Sequence, residues 1–169
     1  MSQTLTIARA LRQAKKLKGQ VAILDRRLGT CASWREDREA DFDFSETLQE
    51  RNRKVEELTV LRTGIARANA SASVAHRGRE MSLTEAILRM GELKGLKKLY
   101  AGLQLRRETE REYAGYDDDG RQRHVQLTWT SVWSEAERAG KLDEIQEEID
   151  ELNEALEEAN HRTPVSLAS

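Results

Sequence analysis

A run of apolar residues near the carboxyl end of the chain constrains the fold most. Its members follow one another at steps of three and four residues: Leu142, Ile145, Ile149, Leu152, Leu156 and Ala159. Heptad spacing of this kind places every member on one stripe of an α-helix, and the stripe must be buried against a partner. The sequence therefore predicts a coiled-coil-like helix over residues 134–160 and further helices that cover it.

Apolar stripes with helical spacing also predict helices over residues 4–28, 46–68 and 82–112. The chain has one proline, Pro164, so the strongest helix breaker is nearly absent. Aromatic residues make up only 5% of the chain, so burial must come from aliphatic stripes between helices. We expect a mainly α protein, an antiparallel helical bundle or coiled coil, that forms a single domain over residues 1–169.

Local signals indicate where two of these helices begin. Ser82-Leu83-Thr84-Glu85 has the pattern of a capping box, in which the serine accepts from a backbone amide and the glutamate reaches back. Ser45 is the predicted cap of the second helix. Three glycines lie inside the third predicted helix, and they mark either close helix contacts or a slightly weakened helix. They are Gly91, Gly95 and Gly102.

The segment before the last helix has a different pattern. Residues 124–130 alternate polar and apolar side chains, which is typical of a half-buried strand. The arm from Glu110 to Tyr116 can pair with it across the turn at Asp119-Gly120. We therefore expect a small β-hairpin arm over about residues 113–130, packed on the helices or on another subunit because an isolated hairpin is marginally stable.

Charge differs sharply between the first and last helices. The first carries many lysines and arginines against Asp25, and the last carries many carboxylates against Arg138 and Lys141. The two helices are therefore suited to lie beside each other, with the complementarity setting alignment more than stability. The net charge of the whole chain is −2, and no aromatic residues alternate with the basic ones, so nucleic acid is not the expected partner.

No recognisable catalytic or metal-binding constellation is present in the sequence. Cys31 is the only cysteine and has no histidine nearby in sequence, so we interpret it as an inert thiol. The three histidines are dispersed, and the acidic turn at 117–120 lacks the glutamate of a calcium loop. We expect no enzymatic activity, no cofactor and no metal.

One polar segment, residues 67–79, is the candidate ligand site. It collects hydrogen-bond donors at a helix end, just before the capped start of the third helix. A helix amino terminus together with arginine can hold an anion, so this segment could bind a small nucleotide-type ligand. The alternative is an ordinary polar loop whose side chains cap two helices. The proposed ligand-binding residues are Arg67, Asn69, Ser71, Arg77 and Arg79.

Several of these features together resemble a known family. The helix that ends in Ile65-Ala66-Arg67-Ala68-Asn69-Ala70-Ser71-Ala72, and the segment from Gly78 to Ala86 that contains Leu-Thr-Glu-Ala, are followed by a strand with Trp129 and an acidic heptad helix. This layout resembles the septicolysin-like family of small helical bacterial and phage proteins. The resemblance implies a helical bundle that oligomerises, and the family name implies a cytolysin.

The sequence favours a structural or interaction protein that self-associates through its heptad faces. The alternatives are a module that sequesters a small anionic ligand at 67–79 and a membrane-active toxin. The amino terminus has no apolar secretory core, no run is long enough to span a membrane, and the lone cysteine suits a reducing compartment. We therefore expect a cytoplasmic protein of a bacterium or of a phage-infected host cell.

Overall fold

The computed structural model describes residues 5–167, which form four helices and two antiparallel β-hairpins. The mainly α fold class is thereby confirmed. In chain order the elements are α1 (Ile7–Cys31), α2 (Phe44–Ser71), β1 (Ser73–His76), β2 (Arg79–Ser82), α3 (Leu83–Gly102), β3 (Thr109–Tyr116), β4 (Gln122–Thr128) and α4 (Glu135–Arg162).

Two compact units divide the chain. The first comprises residues 5–88 together with 152–167, and the second comprises residues 89–151. The predicted four-helix antiparallel bundle and the single domain over 1–169 both stay predictions. None of the helices between residues 5 and 167 has a stretch long and apolar enough to cross a bilayer.

Helices α1 and α2 form the core of the first unit. Their buried residues recur at helical spacings: Ile7, Ala10, Leu17, Leu24 and Cys31 on α1, and Thr47, Leu58, Leu61, Gly64, Ile65 and Ala68 on α2. The helices are antiparallel, since Arg51 Nε near the start of α2 donates to Asp25 near the end of α1 over 3.0 Å. A fully buried leucine contributes roughly 2 kcal/mol, so this seam is the main source of stability in the unit.

The segment after α4 closes the end of this pair. The Ile7 amide donates to the Thr163 carbonyl over 3.0 Å, and the Val165 amide donates to the Leu5 carbonyl over 2.7 Å. A Cβ atom built on Gly64 of α2 would lie 2.9 Å from Val165 Cγ1 and 3.0 Å from the Ser166 carbonyl. We call residues 163–167, which follow α4, the tail. Glycine at position 64 therefore lets the tail lie directly against α2.

The alternative of an ordinary polar loop over residues 67–79 is wrong, because this segment holds the end of α2, strand β1 and the turn into β2. Val74 pairs with Met81 and both are buried, whereas Ser73 and Ala75 are exposed. This alternation is the signature of a strand with one buried face. The two-residue turn at Arg77-Gly78 has φ values of 46° and 77°, as hairpin turns that match the strand twist require.

The predicted extent of the third helix, residues 82–112, is too long. Ser82 caps α3 by accepting from the Glu85 amide over 3.1 Å, so the predicted start is confirmed, but the helix ends at Gly102. Glycine is a poor helix former, and the Thr and Tyr residues that follow favour extended structure. A Cβ atom at Gly91, Gly95 or Gly102 would meet nothing within 4 Å, so these glycines mark no close contact among the described residues.

The hairpin arm exists, but it begins at Thr109, earlier than predicted. Its register pairs Thr109 with Thr128 and Tyr113 with His124, and an irregularity follows before Tyr116 pairs with Gln122. The turn is held by Asp117, whose carboxylate accepts from the Arg121 amide over 2.8 Å. Residues 109–112, which the helical pattern alone assigned to the third helix, are therefore strand because they pair with residues 125–128.

Side chains also cap the starts of the second and fourth helices. The second helix begins at Phe44 and is capped by Asp43, whose carboxylate accepts from the Glu46 amide over 2.7 Å, so Ser45 as the cap was wrong. Helix α4 begins with a reciprocal box in which Ser134 Oγ accepts from the Glu137 amide and Glu137 accepts from the Ser134 amide. The predicted helix over 134–160 is confirmed within two residues at each end.

Candidate functional site

The first three proposed ligand residues lie on the last two turns of α2. Arg67 and Ser71 are four residues apart and share one side of the helix, whereas Asn69 points to the other side. Arg67 and Ser71 are exposed, and the Ser71 hydroxyl donates to the Ala68 carbonyl over 3.3 Å. The Asn69 side-chain oxygen is buried and accepts no hydrogen bond from any residue between 5 and 167. These donors therefore do not converge on one point.

The β1–β2 hairpin carries the other two residues and is anchored at its base. At its base the Leu83 amide donates to the Ala72 carbonyl over 3.0 Å. Its buried face holds Val74, Met81 and His76, and β2 packs on α2. The hairpin thus fixes the backbone between α2 and α3 and presents the turn to solvent.

Arg77 and Arg79 stand at the exposed tip of this hairpin. The φ of Arg77 is 46°, in the left-handed region that costs a residue with a Cβ atom about 1 kcal/mol relative to glycine. Arg79 pairs with the carboxylate of Glu85, and both side chains are largely exposed. The structure therefore brings Arg77 and Arg79 to one turn, with Arg79 engaged by a carboxylate.

A shallow groove in the first unit was not foreseen. It has a volume of about 470 Å³ and lies between α1, α2 and the tail. Leu17, Leu61, Val60 and Leu167 form its apolar wall, and polar residues of α1 and α2 form its rim. The heptad pattern could not reveal it, because one wall comes from the tail far away in the sequence.

The cysteine and the acidic turn considered in the sequence both contact the backbone of their own segments. Cys31 is the last residue of α1, is 1% exposed, and its thiol contacts the Leu28 carbonyl at 3.7 Å. Asp117 binds the backbone of its own turn. Among residues 5–167 no group of three or more His, Cys, Asp or Glu side chains is placed to hold a metal ion.

Large apolar side chains on the surface are the feature that sequence reasoning missed. On α3, Leu88 is 66% exposed and Leu99 is 58% exposed. On and after the second hairpin the exposed fractions are 51% for Tyr113, 65% for Tyr116, 43% for Leu127, 44% for Trp129 and 84% for Val132. The available signal was that Leu88 and Leu99 fall outside the apolar stripe of the third predicted helix, which comprises Leu83, Ile87, Met90, Leu93, Leu96, Tyr100 and Leu103.

Comparisons with known proteins give a family and a fold. A family described as "Family of unknown function (DUF6847)" matches residues 14–165. A solved structure, "Crystal structure of a functionally unknown conserved protein from Corynebacterium diphtheriae", is similar to this chain with a TM-score of 0.72 and 16% sequence identity. The similarity covers 96% of this chain and 99% of that one, and at this identity it shows the fold alone.

No curated protein matches the sequence. The resemblance to the septicolysin-like family is not tested by these matches and stays a prediction. The match to the family profile extends from the first helix to the tail and covers most of the chain. The chain therefore belongs to the family of unknown function DUF6847.

Proposed function

We propose that this protein is a structural or interaction protein that self-associates and has no catalytic activity. The observation that carries the proposal is the β3–β4 hairpin, a regular element that buries almost nothing within its own chain. Of its strand residues, only Gly115 and Val125 are half-buried, and all the others are exposed.

The energetics of an isolated hairpin support a missing partner. Two strands alone are at best marginally stable in water, and independent stability needs further strands or an apolar surface beneath them. Strands of eight and seven residues paired over most of their length are therefore expected to be covered. A second copy of the chain is the partner that is always present.

The side chains on the hairpin suit an interface between proteins. Tyr113, Tyr116 and Trp129 combine a large apolar area with a polar atom, a property that makes tyrosine and tryptophan frequent in interfaces. The Tyr113 and Tyr116 rings meet edge to face with centroids 5.8 Å apart, and Arg106 lies 5.1 Å from the centroid of Trp129. Because these contacts already hold the rings in place, association costs little further side-chain entropy.

Helix α3 supplies independent support. Leu88 and Leu99 are more than half exposed on a helix whose opposite side is buried at Ala86 and Leu93. Burial of apolar surface is the main driving force for stable association, and these two leucines lie about three turns apart on the same exposed side of α3. The lone buried cysteine is compatible with the cytoplasm, where we expect the assembly to form.

Light scattering coupled to size exclusion tests the proposal. We expect a mass above that of the 19.3 kDa chain, and we expect Leu127→Glu to reduce it because a charge would then be placed on the hairpin face that carries Val125 and Leu127. Gln104→Glu, which adds the same charge at an exposed position between α3 and β3, is the matched control and should leave the mass unchanged. A monomer at every concentration would contradict the proposal.

Binding of a small anion at 67–79 is a second candidate. It is supported by the exposed turn of the β1–β2 hairpin, which presents the side chain of Arg77 to solvent, where an anion can reach it. A panel of nucleotides tested by thermal shift and calorimetry should reveal stabilisation that is lost in Arg77→Ala and Arg67→Ala and reduced in Asn69→Ala. If no nucleotide stabilises the protein, this candidate is excluded.

A further inference from the structure

Helix α1 has an exposed cationic face opposite its buried seam. This face comprises Arg12, Lys15, Lys16, Lys18 and Arg26, all of them exposed. None of the five forms a salt bridge with any residue in the described range 5–167. Arg12 and Arg26 instead donate to carbonyls one turn earlier in α1, over 3.3 and 3.4 Å.

Helix α4 has the opposite charge on its exposed side. Within the second unit, Asp143, Glu144, Glu147 and Asp150 are exposed, whereas Ile145 and Ile149 are buried. We name these four residues the carboxylate face. Asp150 accepts from Gln146 Nε2 over 2.7 Å, and none of the four pairs with a cation within residues 5–167.

Each face is unfavourable when it is left alone. Like charges three or four residues apart destabilise a helix, and both the lysines and the glutamates here stand at such spacings. The cationic face spans about 21 Å from Arg12 to Arg26, and the carboxylate face spans about 10 Å from Asp143 to Asp150, given a rise of 1.5 Å per residue. The two faces oppose each other in charge, and the carboxylate face fits within the length of the cationic face.

The surroundings of the cationic face allow another helix to approach. Gly19 and Ala22 lie in the middle of the face, and a Cβ atom on Gly19 would meet nothing within 4 Å. Leu11 and Ile23 flank it, each 47% exposed. Small residues permit close approach, and the flanking aliphatic side chains would add apolar burial to the charge pairing.

We propose that the cationic face of α1 binds the carboxylate face of α4 in a second copy of the chain. This inference rests on the proposed self-association and specifies one of its contacts. In a two-fold assembly the contact forms twice, because each copy supplies one face of each kind. The charge pairing sets the register and the choice of partner, while apolar burial supplies most of the affinity.

A second copy fits the cationic face better than a nucleic acid does. The chain has a net charge of −2, so the long-range field does not attract a polyanion. No aromatic residue lies in α1 to stack on bases. The carboxylate face also needs a cationic partner, and only the pairing of copies satisfies both faces together.

A charge swap tests the proposal in the full chain. Sedimentation equilibrium should show that Lys15→Glu/Lys16→Glu weakens association about tenfold or more, and that Glu144→Lys/Glu147→Lys does the same. A chain that carries all four substitutions should recover most of the association, because the contact is rebuilt with reversed signs. The matched control, Arg53→Glu/Arg62→Glu on α2, should change it little.

The outcomes separate this inference from the proposed function. A monomeric wild type contradicts self-association itself. If the wild type associates and either double substitution leaves that association unchanged, the contact is overturned while self-association stands. The same holds if the chain with all four substitutions fails to recover association. Circular dichroism establishes whether each variant is folded. If one variant fails to fold, salt gives a second test, because screening of the charge pairs should weaken the wild-type assembly as the salt concentration rises. Binding of duplex or single-stranded DNA through Lys15 and Lys16, with the mass unaffected, overturns it in favour of nucleic acid.

Discussion

Two glycines at interior helical positions of this protein have different structural roles, because another segment packs against only one of them. Gly64 and Gly19 both occupy helix interiors, yet the tail touches the first, whereas the second faces open space within the chain. The sequence shows two glycines in helical patterns and no difference between them. The difference arises because residues 165–167 return to α2 from far away in the chain, and helical periodicity carries no information about that contact.

Replacement of Gly64 by alanine should destabilise the protein. The added methyl group would meet Val165 and the Ser166 carbonyl at 2.9 and 3.0 Å, so the tail must move. We expect the free energy of unfolding to fall by about 1–3 kcal/mol, as overpacking typically costs, in urea titrations at low protein concentration. Gly19→Ala is the matched control and should raise stability by up to about 1 kcal/mol. Equal effects of the two substitutions would show that the tail does not lie against Gly64.

Capping of α2 gives a second test at this scale. Asp43→Ala removes the carboxylate that accepts from the Glu46 amide and should cost about 1 kcal/mol of unfolding free energy. Ser45→Ala should have an effect within about 0.5 kcal/mol, because Ser45 is exposed and already inside the helix. A larger loss for Ser45→Ala would place the helix start where the sequence alone predicted it.

Whole elements were predictable where one local pattern dominates. The apolar stripe of α4 and the serine cap at Ser82 depend only on neighbouring residues, so the sequence predicted them correctly, whereas the Glu85 carboxylate pairs with Arg79. The β1–β2 hairpin was missed because Val74 and Met81 provide only one buried pair in two short strands. The end of α3 was misplaced because residues 109–112 are strand only through pairing with residues 125–128.

The start of α4 should be sensitive to acid. The Ser134 amide and then the Ser134 hydroxyl donate to Glu137, and with Arg107 and Lys141 nearby they lower its pKa below the ordinary value of 4.5. A lowered pKa means that this contribution to stability is complete above about pH 4.5 and is lost as the pH falls through the lowered pKa. A carbon-detected NMR titration should place the Glu137 midpoint below 4.5, and Ser134→Ala should raise that midpoint. An identical midpoint in both proteins would argue against the box.

At the scale of the whole molecule, the exposed residues give more information about association than the buried core does. The buried seams account for α1 and α2, but the hairpin aromatics, the α3 leucines and the two charged helix faces remain on the surface. The sequence could predict that helices and a hairpin exist and that α1 and α4 carry opposite charge. It could not predict that the five proposed anion ligands are spread around α2 and over a β-turn. Their proximity in sequence had suggested one site, but the strands and the helix turn separate them.

Hydrogen–deuterium exchange of the β3–β4 amides at two protein concentrations tests the central claim, that a second copy covers this hairpin. The concentrations should lie on either side of the dissociation midpoint found by light scattering. We expect the amides of residues 109–116 and 122–128 to be protected in the assembled protein and to exchange rapidly after dilution, because an isolated hairpin is marginal. Exchange at the same rate under both conditions would show that the hairpin needs no partner and would contradict the account.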